Sequence, residues 1–145
     1  MGHMIVVGFD GSDCAERALR WASAEAQLRN TQLRVLHGWQ ILQMAPLALR
    51  AGGWAGYVPP MDELQRAAQD HLEQQVAAAL PGERAHVQCE AVHEHPVKLL
   101  VAASREAELL VVGSRGLGPA RSLVLGSVSL ACIHQAQCPV VVVRT

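Results

Sequence analysis

Two rhythms of apolar and polar positions run through this chain. Ile5 to Gly8 is a short apolar run that closes on Asp10-Gly11-Ser12, which predicts a buried strand followed by a turn. Ala15, Ala18, Leu19, Ala22 and Ala26 then recur at helical spacing as far as Asn30, and Asp13 with Glu16 predicts a capping box at the helix start. Leu33 to His37 predicts a second strand. Pro60 introduces a second helix with Leu64, Ala68, His71, Leu72, Val76 and Leu80 on one stripe, ended by Pro81-Gly82. Val87, Cys89 and Ala91 alternate with polar neighbours, as in a strand. Pro96 suits the first turn of a third helix carrying Val97, Leu100, Val101 and Ser104. Leu109 to Val112 predicts a fourth strand, Ser127 to Gln135 a helix stopped by Pro139, and Val140 to Val143 the last strand.

Strands alternating with helices predict an α/β fold with a parallel sheet covered on both faces. The short, wholly apolar strands agree, because parallel strands are buried on both sides. The rhythm dissolves from Gln40 to Pro60, a stretch longer than an ordinary connection and locally aromatic through Trp39, Trp54 and Tyr57. It reads as a surface flap, with a lid or partner surface as the alternative. No internal repeat or second domain is evident. Met1-Gly2-His3 before a second methionine reads as a cloning remnant, which leaves residues 4–145 as one domain.

Composition narrows the function classes. With 145 residues, half of them apolar, the chain has enough core to fold without disulfide or metal staples. A net charge of −1 lacks the basic excess of a general nucleic-acid binder. Cys14, Cys89, Cys132 and Cys138 form no C-x-x-C pair, and they read as reduced thiols of a cytoplasmic protein. No stretch has the length of a signal h-region or a membrane span.

The chemistry concentrates after the fourth strand, from Gly113 to Ser129. Gly113, Gly116 and Gly118 let backbone N–H groups curl around an anion without Cβ interference. Gly126-Ser127 opens a helix, whose free N–H groups and positive dipole end attract negative charge. The hydroxyls of Ser127 and Ser129 add donors for phosphate oxygens. A Walker loop is excluded, because the only lysine of the chain is Lys98. The dinucleotide fingerprint is excluded by glycine order and by position in the chain. What remains is G-x2-G-x9-G-S between a strand and a helix.

With that motif the chain resembles the universal stress protein family, specifically its ATP-binding branch. Val6-Val7-Gly8-Phe9-Asp10-Gly11-Ser12, Leu109-Leu110-Val111-Val112-Gly113-Ser114-Arg115-Gly116 and Cys138-Pro139-Val140-Val141-Val142-Val143-Arg144 carry the resemblance over nearly the whole chain. It implies an open five-stranded parallel sheet in the order 3-2-1-4-5, of the adenine nucleotide alpha hydrolase-like kind. Strands one and four then lie side by side where the winding reverses, the usual ligand crevice of such sheets.

Carried over residue by residue, the resemblance implies that Asp10 touches the base or ribose, with Gly8 in the same wall. The backbone at Gly38 would pair with the adenine edge, although Gly38 lacks the aliphatic side chain that family members often place there. Gly113, Ser114, Arg115, Gly116, Leu117, Gly118 and Pro119 would wrap the ribose and phosphates. Gly126, Ser127, Val128 and Ser129 would hold the phosphate tail, with Mg2+ bound mainly by phosphate oxygens and water. A homodimer through Val140–Val143 is expected, because an apolar edge strand invites pairing with its copy and the family pairs this way.

Plainer readings stand beside these. Asp10 also suits a helix-start carboxylate, and Arg115 and Arg121 also suit solvated loop positions. His93, His95 and Cys89 lack a third convergent ligand for a metal, and His37 reads as a core or supporting residue. No nucleophile, general base and orienting group assemble, so the expectation is an ATP-binding regulatory protein with little turnover and an unknown protein partner. A nucleotide-free dimeric interaction protein of the same fold and a slow ATP hydrolase are the alternatives.

Overall fold

A computed structural model describes residues 3–41, 59–82, 84–116 and 125–144. The elements run β1 (Met4–Gly8), α1 (Asp13–Leu28), β2 (Gln32–Trp39), α2 (Met61–Ala79), β3 (Val87–His93), α3 (Pro96–Ser104), β4 (Leu109–Gly113), α4 (Ser127–Gln135) and β5 (Val140–Val143). The strands form one sheet in the order β3-β2-β1-β4-β5. Every neighbouring pair is parallel. The expected architecture is therefore the observed one. In this order β1 and β4 sit at the centre, and their carboxyl ends open at the reversal of the winding.

Side chains alternate across the strands and build a core on each face. Ile5, Val7, Leu33, Val35 and Val111 pack against the apolar stripes of α1 and α2. Val6, Leu36, Leu110 and Val112 pack on the other face against Leu100 and Cys132, from α3 and α4. Residues of β5 divide likewise, Val141 and Val143 to the first core and Val140 and Val142 to the second.

Several local details depart from the sequence expectation. The cap of α1 is Ser12, whose side chain accepts a hydrogen bond from the Ala15 N–H at 3.2 Å, not Asp13. Strand β2 continues through Gly38 to Trp39, because β3 supplies ladder partners as far as His93. Cys89 is only half-buried.

The two free edges of the sheet are treated differently. At β3, the Gln69 side chain accepts from Ala91 N–H at 2.8 Å and donates to Cys89 C=O at 2.9 Å. Gln65 donates to Ala91 C=O at 2.7 Å and accepts from the Trp39 indole N–H at 2.8 Å. Two glutamines of α2 thus occupy ladder positions that another strand would otherwise take. At β5 the Val143 carbonyl points inward to Ser114 N–H at 2.8 Å. Alternation along the strand turns the amide groups of Val142 to the open edge.

Candidate functional site

Beyond β1 the chain makes a fixed turn. Asp10 Oδ1 accepts the Ser12 N–H at 2.9 Å and the Ser12 hydroxyl at 2.6 Å. Gly11 between them has φ +83°, a conformation L side chains rarely adopt, and a Cβ there would fall 2.8 Å from the Gln75 amide nitrogen. The carboxylate is thereby held by its own turn, with Oδ2 against the next loop. A Cβ on Gly116 would lie 2.5 Å from that oxygen. Asp10 and Gly116 come from loops after different strands, and the fold brings them into contact.

The loop after β4 is pinned at its neck. Ser114 is buried; its C=O accepts the Gly126 N–H at 2.6 Å and the Ser129 hydroxyl at 3.1 Å. The Ser129 hydroxyl also lies 2.9 Å from the Gly126 carbonyl. Gly113 allows α1 to close on the strand end, since a Cβ there would meet the Cys14 backbone at 3.0 Å. Gly126 is the N-cap of α4 and provides no side-chain cap, in extended backbone with φ −78° and ψ 169°. The first amides of α4 thus stand beside Gly116 with their dipole end toward the crevice, the local chemistry of an anion site. Ser127 is exposed at this helix start, and Val128 packs into the second core.

Cys14 lies under the same loop, a position the helical pattern alone marks only as core. Its thiol is 3.3 Å from the Ser114 hydroxyl and 3.5 Å from the Val143 carbonyl. Burial by itself would raise this thiol. The Ser114 hydroxyl, the Arg115 and Ser114 amides and the Arg115 charge outweigh that effect and hold it below its ordinary value. Cys132 lacks such partners, and burial pushes it up to about 11.

The other expected residues divide by what surrounds them. Gly8 ends β1, and a Cβ there would meet Leu100 Cδ1 at 2.7 Å. Gly38 lies inside β2 opposite Val92, and a Cβ there would fall 2.7 Å from the Glu94 carbonyl. Both glycines let α3 and its leading turn approach the sheet. Arg115 is half-buried at the crevice. Leu117, Gly118, Pro119 and Arg121 lie outside the described residues, as does most of the Gln40–Pro60 stretch. His37 Nδ1 is 2.9 Å from the Phe9 carbonyl, which makes that nitrogen the donor. His93 stacks on Trp39 with ring centroids 4.5 Å apart, and His95 accepts from Val97 N–H at 3.2 Å to cap α3. Among the described residues no group of three or more His, Cys, Asp or Glu could hold a metal ion.

Sequence reasoning missed Ser12, which holds the Asp10 carboxylate, and Gln75, whose amide packs against Gly11. The Asp-x-Ser spacing is itself the signal for the first, because Asp side chains bond their backbone two residues on. Gln75 gives no such local signal.

The profile of the Universal stress protein family matches residues 1–144, and the chain belongs to that family. It is 36% identical over 155 residues to Universal stress protein Rv1996 of Mycobacterium tuberculosis, covering 96% of this chain and 47% of that protein. The chain thus spans about half the length of the curated relatives it matches. A universal stress protein solved in complex with cAMP superposes with a TM-score of 0.63 at 26% identity, covering 99% of this chain and 97% of the other. The universal stress protein of Archaeoglobus fulgidus in complex with dAMP gives a TM-score of 0.61 at 25% identity, covering 97% of each.

Proposed function

We propose that this chain binds an adenine nucleotide, ATP with Mg2+, in the crevice bounded by Asp10, Gly113–Gly116 and the start of α4. The observation that carries this reading is the meeting of three features at the reversal point. They are a turn-held carboxylate, glycine backbone without side-chain cover, and a helix N-terminus with no side-chain cap. The related structures with cAMP and dAMP support adenine as the base. The residues suit the ligand in charge: amides of Ser127, Val128 and Gly116 face phosphate, and Asp10 faces ribose hydroxyls or the base as acceptor. Mg2+ would be held mainly by phosphate oxygens and water and would neutralise the charge of the tail. Leu117, Gly118, Pro119 and Val128 complete the proposed ligand set, with Gly8 and Gly38 at the adenine side.

The protein works by binding rather than by turnover, as a cytoplasmic regulatory homodimer joined through β5. Among the described residues no helix is long and apolar enough to cross a membrane. Support for the dimer comes from the edge of β5, which carries outward amides while β3 is covered by glutamines.

Calorimetric titration of the purified protein with ATP, ADP and AMP in the presence of Mg2+ tests the reading. Binding of ATP is expected, together with at least about tenfold weaker binding by Gly126→Asp, which sets a carboxylate against the phosphates. Gly126 has negative φ and its Cβ would meet its nearest neighbour at an ordinary 3.4 Å, so the variant keeps its fold. Unchanged affinity in Gly126→Asp sinks the proposed location. Accumulation of ADP at steady state would replace binding with hydrolysis as the function.

A further inference from the structure

Ser129 was expected to hold phosphate, yet its surroundings give it other work. It is 2% exposed, two residues into α4 from the exposed Ser127. Its hydroxyl has a single proton and lies within bonding distance of two carbonyls, those of Ser114 and Gly126. Both acceptors belong to the neck of the loop. Ser114 C=O takes the Gly126 N–H as well, so one carbonyl gathers the two strands of the neck. A proton committed there is not available to a phosphate oxygen.

We infer that Ser129 is a positioning residue of the nucleotide site: from beneath, it fixes the Ser114–Gly126 neck and so aims the amides of Gly116, Ser127 and Val128, with its hydroxyl not touching the ligand. This rests on the adenine-nucleotide reading above and changes the role of one residue within it. The neck sets the spacing between the two amide groups that flank the phosphates. Loosening it therefore affects every ligand carrying phosphate and spares the nucleoside, which reaches only the Asp10 side. A direct ligand would behave differently, because it would affect only the phosphate it touches.

The experiment compares wild type with Ser129→Ala for ATP, ADP, AMP and adenosine by calorimetry. Hydrogen exchange of the Gly126 amide is followed in parallel in nucleotide-free protein. The expected result is a similar loss of affinity, about three- to tenfold, for all three nucleotides. Adenosine binding should stay unchanged, and Gly126 exchange should be faster while amides in the centre of α2 keep their protection. Unchanged affinities overturn the inference, as does a loss confined to ATP or one that extends equally to adenosine. Should wild type bind none of the four, the nucleotide reading fails. Gly126 exchange then judges the neck alone, and an unaltered rate in Ser129→Ala overturns it.

Discussion

Gly38 and Gly8 look alike in sequence, each the small residue near the end of an apolar strand, but their neighbours differ in kind. A Cβ at Gly38 would meet main chain, the Glu94 carbonyl at 2.7 Å and Pro96 Cα at 2.9 Å. Neither can move without displacing the start of α3. At Gly8 the obstacle is the tip of Leu100, also at 2.7 Å, which can change rotamer. Urea denaturation should therefore show Gly38→Ala losing about 2–3 kcal/mol and Gly8→Ala about 1 kcal/mol. Equal losses, or the reverse order, would refute this account of the two glycines. The same comparison explains the missing aliphatic side chain at Gly38: the space for it is filled by the turn into α3.

At the scale of the element, most boundaries were legible because short-range chemistry sets them. Pro96 and Pro139 mark the start of α3 and the end of the connection after α4, and Gly126-Ser127 marks the start of α4 where the pattern predicts it. What could not be read depends on contacts between distant residues. The hydroxyl of Ser129 bonds across fifteen positions to Ser114, and nothing local distinguishes it from the exposed Ser127. The extra residues of β2 likewise exist because β3 pairs with them. That the segments after Asp10 and Gly113 would lie side by side was legible, since sheet order alone brings the ends of β1 and β4 together. Helix α2 carries a function invisible in its apolar stripe, the covering of β3. In Gln69→Ala both the Ala91 N–H and the Cys89 C=O lose their side-chain partner. Exchange of the Ala91 amide should accelerate by about tenfold or more, with β1 amides unaffected; an unchanged rate would show that the glutamine is not what protects that edge.

For the whole molecule, Leu130 and Ile133 of α4 are exposed apolar residues and β5 is only half-buried. Val142→Pro removes one outward N–H and leaves the Ser114–Val143 bond to β4 in place. Light scattering should give twice the chain mass for the native protein and the single-chain mass for this variant. A variant that keeps the native mass would place the interface elsewhere. The glutamine cover of β3 has a consequence for any such assembly. A ribbon of strands with both borders receptive can recruit neighbours without end. Here the Ala91 and Cys89 groups of one border are held from within, so an assembly through β5 would have a valence of one through its backbone, and joining a single companion would end growth.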